Sequence, residues 1–177
     1  MKKIGVFCSA SARVPEKYLK EARLIGEKLG EAGCTLVYGG TSMGMMREIS
    51  QGVKAKGGTL VGVVPELFER EGRMDPDLDT VIRCHDLSDR KALMVGEAEV
   101  FLALPGGVGT MDEVFSTMAS YTLGYHGKKV VFYNMDGFWD PVLEFLSRLN
   151  AEGFMKPQAC ASFASASSGE ELLAAIR

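Results

Sequence analysis

The chain has 177 residues, 24% of them charged and 46% hydrophobic, with a formal net charge of −3. Ordinary apolar content with a small net charge excludes intrinsic disorder, and the length suits one well-buried core rather than two full enzyme domains. No apolar run reaches the roughly 20 residues that cross a bilayer, and the slight acidity argues against a nucleic-acid groove, which clusters Lys and Arg. A small phosphorylated ligand stays open, because one phosphate needs only a few backbone N–H groups and at most one cation.

Residues 1–8 look in outline like a short signal peptide, but the apolar run breaks at Ser9 and Arg13, so residues 3–8 (KIGVFC) read as a first strand. Residues 15–32 read as a helix. Tyr18, Ala22, Ile25 and Leu29 recur at helical spacing, Pro15 suits a first turn and Gly33 an end. A second strand at 34–38 is punctuated by Gly39-Gly40, and a helix at 45–56 ends at Gly57-Gly58. A third strand at 59–64 (TLVGVV) stops at Pro65. Residues 66–79, with several charges, Gly72 and Pro76, read as a loop forming a flap or rim. A short strand at 80–84, a helix at 87–96 and an apolar strand at 100–104 (VFLAL) follow, the last ended by Pro105-Gly106-Gly107. A helix at 110–123 sets Met111, Val114, Phe115, Met118 and Thr122 on one face. A strand at 129–133, a helix at 138–151 with Pro141 in its first turn, a weak strand around 161–164 and a helix at 169–177 complete the chain.

Unbroken β–α alternation without linker or repeat predicts an α/β fold: a three-layer, Rossmann-like, doubly wound parallel sheet in a single domain, residues 1–177. Such sheets bind ligands at the carboxyl ends of their strands, near a switch in strand order. That rule points to Cys8, Tyr38, Val64, Cys84 and Leu104.

Two of these strand ends are Gly-rich, Tyr38-Gly39-Gly40-Thr41-Ser42-Met43-Gly44 and Pro105-Gly106-Gly107-Val108-Gly109-Thr110. Each follows an apolar strand and opens a helix, where glycine allows close backbone approach and the helix N–H groups face an anion. One such loop is as often a tight turn as a phosphate site; two on one sheet favour phosphate. Neither fits GxGxxG with an acid about 20 residues on, and no GxxxxGK[ST] occurs, so dinucleotide and P-loop readings fail. Asp112 and Glu113 follow the second loop, either as charges complementing a helix dipole or as carboxylates beside a phosphate. Asp89-Arg90-Lys91 is by ordinary expectation a solvated face; alternatively Arg90 reaches a ligand phosphate or ribose, with Ser9 and Ser11 adding donors. His85 and His126 are isolated, and Cys8, Cys34, Cys84 and Cys160 form no CxxC pair, which speaks against a zinc site and fits thiols in a reducing cytoplasm. The ten Met read as core filler.

Pro105-Gly106-Gly107-Val108-Gly109-Thr110-Met111-Asp112-Glu113 fits PGGxGTxxE, with an Arg-Lys pair upstream in Ser88-Asp89-Arg90-Lys91-Ala92-Leu93-Met94. In these motifs, and in Val6-Phe7-Cys8-Ser9, Gly62-Val63-Val64-Pro65 and Asn134-Met135-Asp136-Gly137-Phe138, the chain resembles the Lonely Guy family of cytokinin riboside 5'-monophosphate phosphoribohydrolases over nearly its whole length. The family's older label, lysine decarboxylase-like, is not implied as an activity. The resemblance implies hydrolysis of the N-glycosidic bond of nucleoside 5'-monophosphates, commonly N6-modified AMP. Arg90 and Glu113 are then the catalytic pair. Gly107, Gly109 and Thr110, with Gly106, Gly40, Thr41 and Ser9, hold the 5'-phosphate, and Lys91 sits nearby. Arg90 is expected to keep Glu113 ionised. The resemblance implies no cofactor, no metal, a cytoplasmic location and a homodimer, the Met- and Phe-rich helix after the PGG loop being a candidate contact. The chain departs from the family pattern at Thr41, Arg47, Leu87, Asp89 and Asp112; Leu87 and Asp89 bear on base preference. Relatives of this fold include molybdenum-cofactor carriers, so a nucleotide- or cofactor-binding carrier without hydrolysis is the alternative. A carrier has no need of Arg90 and Glu113 together. A structural or regulatory domain would need neither Gly-rich loop.

Overall fold

Seven short strands form one sheet. The computed structural model describes residues 2–176. In chain order the elements are β1 (Lys3–Phe7), α1 (Glu16–Glu31), β2 (Thr35–Tyr38), α2 (Gly44–Ala55), β3 (Thr59–Pro65), α3 (Glu66–Arg70), β4 (Thr80–Cys84) and α4 (Leu87–Glu97). There follow β5 (Val100–Ala103), α5 (Val108–Thr122), β6 (Val130–Tyr133), a 3-10 turn (Met135–Gly137), α6 (Asp140–Ala151), α7 (Pro157–Ala161), β7 (Phe163–Ala166) and α8 (Gly169–Ala175). The strand order is β4-β3-β2-β1-β5-β6-β7, and every pairing is parallel. The chain winds outward from β1 to β4, then crosses back to lay β5 on the other side of β1. Ile4 therefore pairs with Leu36 on one flank and Val100 on the other. The doubly wound α/β architecture expected from the sequence is the one observed.

The inner strands β1, β2, β3, β5 and β6 are almost wholly buried because both faces are covered, whereas the edge strands β4 and β7 expose Arg83 and Ser165. Ile4, Val6, Leu36, Tyr38, Leu102 and Val131 point to one face, where α1, α2 and α8 add Ile25, Leu29, Ile49, Val53 and Leu172. Phe7, Val37, Val63, Phe101 and Phe132 point to the other, where α4, α5 and α6 add Met94, Val114, Met118 and Leu146. The alternation is the two-residue period of a strand, and it separates two cores.

Three expectations need correction. Residues 66–70 form α3, not loop: Arg83 at the sheet edge grips both carboxylate oxygens of Glu69 at 2.8 Å, anchoring a helix that buries none of its own residues. The last strand lies at Phe163–Ala166, because Pro157–Ala161 first makes one helical turn with proline at its start. Helix α5 begins at Val108, two residues before the expected start. Arg177, the expected end of the last helix, and Met1 lie outside the described residues. Among the described residues no helix is long and apolar enough to cross a membrane.

Candidate active site

A cleft of about 280 Å³ opens where β1 and β5 end, at the point where strand order reverses. Cys8, Ser9 and Ala10 after β1 form one wall, Met46 of α2 and Leu87, Arg90 and Lys91 of α4 another, and Gly107, Gly109, Thr110, Asp112 and Glu113 of the β5–α5 turn the third.

The tip of α5 opens into the cleft. Gly107 is its N-cap, at φ −95°, and no side chain caps the first-turn N–H groups. These donors have no helical partners and carry the positive end of the helix dipole. Thr110 tucks beneath the turn: a Cβ at Gly106 would collide with the Thr110 hydroxyl, so glycine there admits the threonine.

Helix α4 turns Arg90 inward. Its N-cap Asp86 accepts the N–H groups of Ser88 and Asp89 at 2.8 Å each, which fixes where the helix begins. Arg90 Nε donates to the Val63 carbonyl at 3.2 Å, and Nη1 lies 3.8 Å from Glu113 Oε1. Nη2 is buried without a partner among the described residues and lies against Gly39, where any Cβ would overlap it. Both side chains are nearly sequestered, Arg90 at 8% and Glu113 at 11% exposure.

The environment of Glu113 departs from the expectation that Arg90 keeps it ionised. Burial pushes the carboxyl up to about 7; Arg90 pulls it down, Asp112 raises it and Lys91 lowers it, and burial prevails. Near neutrality both protonation states are populated. The Cys8 thiol in the same cleft is likewise pushed up by burial first, then by Glu113, with Arg90 opposing. It is a packed thiol rather than a poised nucleophile. Lys91 Nζ bonds both carboxylate oxygens of Asp112 at 2.8 Å and Ser116 Oγ at 3.1 Å.

The structure thus gathers Ser9, Arg90, Lys91, Gly107, Gly109, Thr110 and Glu113 around one cleft. Gly106 lines an adjoining hollow with Ser9. Gly40 and Thr41 do not line the cleft. Gly40, at φ +66°, packs against Val64 and Gly62, and its carbonyl accepts Asp75 N–H at 2.8 Å. Thr41 is buried against Met74, its hydroxyl without a partner among the described residues. The tip of α2 is covered by the chain after β1: Met45 N–H bonds the Ser9 carbonyl at 2.9 Å, and a Cβ on Gly44 would stand 2.7 Å from the Ser11 carbonyl. Of the departing residues, Leu87 lines the cleft, Arg47 is exposed on α2, and Asp89 accepts His85 N–H at 3.0 Å.

Sequence reasoning missed the buried carboxylate of Asp75, which accepts Tyr38 Oη at 2.6 Å and Ser50 Oγ at 2.8 Å. No local signal marks it, since its partners lie 37 and 25 residues away. Among the described residues no group of three or more His, Cys, Asp or Glu is placed to hold a metal ion.

Residues 46–176 match the family model described as a possible lysine decarboxylase. The chain is 35% identical over 172 residues to a cytokinin riboside 5'-monophosphate phosphoribohydrolase of Arabidopsis thaliana, covering 97% of this chain and 75% of that protein. It is 36% identical over 173 residues to one of Oryza sativa subsp. japonica, covering 97% and 71%. In structure it is similar to the molybdenum cofactor carrier protein of Chlamydomonas reinhardtii, with TM-score 0.76, 26% identity, and 99% and 96% of the two chains covered. The reversal point, the PGG turn with its buried Arg–Glu pair and these matches agree, and the chain belongs to the Lonely Guy family, the group whose model carries the lysine decarboxylase description.

Proposed function

We propose that the protein hydrolyses the N-glycosidic bond of nucleoside 5'-monophosphates, N6-modified adenosine 5'-monophosphates above all, releasing the free base and ribose 5-phosphate. The observation that carries this reading is the buried Arg90–Glu113 pair beside the uncapped tip of α5. The tip holds the 5'-phosphate, with Thr110 and Ser9 as hydroxyl donors. Phosphate anchoring supplies binding energy remote from the reacting bond and places the ribose over Glu113. As the C1'–N bond breaks, its electron pair leaves with the base, which takes up a proton, and positive charge builds on the ribose. The Glu113 carboxylate stabilises that charge and orients the water whose oxygen bonds C1'. Arg90 holds Glu113 in place and favours its ionised form.

A carrier that binds without hydrolysing is the second reading, supported by the likeness to the molybdenum cofactor carrier. The buried ion pair favours the enzyme, because burying it is costly and binding alone does not require it. Incubation with AMP, N6-isopentenyl-AMP and other monophosphates, followed by chromatography of released base, separates the two. Release of base supports the hydrolase, and none from any substrate leaves the carrier. The four free thiols, Cys8, Cys34 and Cys84 buried among them, support a reducing cytoplasm as the site of action. The protein works as a homodimer. The exposed Val108, Phe115, Leu123 and Tyr125 on and after α5 support this, and sedimentation should give twice the chain mass.

A further inference from the structure

With Glu113 ionised, the state the proposed reaction uses, the cleft has no spare positive charge. Arg90 faces Glu113 at 3.8 Å and Lys91 is held by Asp112 at 2.8 Å, so its two cations are matched by its two carboxylates. A phosphate monoester at the tip of α5 brings nearly two negative charges, against roughly half a charge from the helix dipole. A further cation is needed to balance it.

One stands beside the cleft. A second hollow of about 280 Å³ is lined by Ser9, Ser11, Arg13, Tyr18, Gly106 and Phe138, among others. Ser9 lines both cavities, and Gly106 directly precedes the Gly107 N-cap, so the hollow meets the cleft at the tip of α5. Among the described residues, Arg13 is its only cation and its side chain has no ion pair or hydrogen bond; the residue is exposed. The chain that carries it is fixed at its root. The Ser9 carbonyl accepts Met45 N–H at 2.9 Å, Ser9 Oγ accepts Ser11 N–H at 3.1 Å, and Ser11 Oγ accepts Arg13 N–H at 3.2 Å.

We propose that Arg13 is a phosphate-binding residue of this site, its guanidinium closing over the 5'-phosphate from the hollow beside Ser9 while the N–H groups of α5 hold the opposite side. The inference rests on the reading that a sugar 5'-phosphate occupies the cleft. The planar fork of arginine engages two phosphate oxygens at once, which a lysine does not reproduce. Arg13 itself does no bond-breaking chemistry.

Ribose 5-phosphate binding, measured by calorimetry, tests this independently of turnover. Arg13→Gln should weaken binding about tenfold or more and Arg13→Lys should restore part of the loss. Added salt should weaken the wild type more steeply than Arg13→Gln, a response that a merely structural residue does not produce. With AMP, KM should rise in Arg13→Gln while kcat and melting temperature stay near wild type. Equal affinity of wild type and Arg13→Gln for ribose 5-phosphate, or no binding by either, overturns the proposal. Arg13-dependent binding in a protein that releases no base leaves the clamp standing and removes only the hydrolase reading.

Discussion

The two glycine-rich turns, after β2 and after β5, look alike as sequence and differ in what faces them. At the β5 turn the helix tip is uncapped and opens into the cleft. At the β2 turn the same kind of tip is covered by the Ser9–Ser11 backbone, and Gly40 and Thr41 are folded under residues 74 and 75. Glycine serves opposite ends in the two places. After β5, Gly107 and Gly109 leave open space at the cleft, and after β2 glycine lets the protein's own chain come close. Strand–glycine–helix patterns report close approach by something, and only the rest of the fold says whether that is a phosphate or a neighbouring loop.

The sharpest way to break this contrast is to remove the chemistry from the β5 side. Glu113→Gln should lower base release by about 10²–10⁴-fold while nucleotide binding by calorimetry persists; undiminished release would dismiss Glu113. Gly39→Ala probes a link from the β2 turn to the proposed catalytic pair, since the new methyl overlaps Arg90 Nη2. It should cost about 10²-fold in kcat, and wild-type kcat would show that Arg90 tolerates displacement. Gly44→Ala, at φ +55° against the Ser11 carbonyl, should cost about 2–4 kcal/mol in denaturant titrations and raise KM only through the Ser9–Ser11 chain that it displaces.

The pH dependence sharpens the comparison further. The Glu113 carboxyl lies near 7 in the fold against 4.5 for the free group, so the native state binds more protons between those values. The associated stability is present below the lower value and is lost as pH rises through about 7. Glutamine mimics the protonated acid. The stability gained by Glu113→Gln over wild type should therefore grow from pH about 5 to about 8, by at most on the order of 2–3 kcal/mol; calorimetric scans showing a constant gap would contradict the burial argument. In the wild type, kcat/KM should rise with pH on an acid limb near 7. The smallest effect belongs to Gly109→Ala, where a Cβ meets open space. Stability should hold or improve by a few tenths of a kcal/mol while KM rises, and an unchanged KM would mean that the β5 tip is not the phosphate seat.

What was legible in the sequence follows from how local each signal is. Val100–Ala103 declares itself because a strand buried on both faces must be apolar at every position. Arg90 and Glu113 were found through the Arg-Lys and PGGxGTxxE motifs at strand ends, and their convergence follows from the parallel sheet. Helix α3 was not legible because its support, Arg83 on Glu69, comes from another element. The burial of Thr41 was not legible for the same reason, since the chain that pairs with it comes from residue 74. The raised Glu113 carboxyl is a matter of burial, which no spacing of charges reveals.

The position of β1 in mid-sheet has a consequence for assembly. Its pairing of Ile4 with Val100 closes a loop of just over half the chain. Until β5 arrives, that edge of β1 presents unpaired backbone groups, an open template for strand addition. The cleft is a seam between two portions of the polypeptide. Ser9, Arg13 and Arg90 belong to the portion made first, and the PGG turn and Glu113 to the portion made later. The buried ion pair is a stitch across that seam, so a chain divided between α4 and β5 would carry one lip of the cleft on each fragment, and base release would return only when the fragments reassociate.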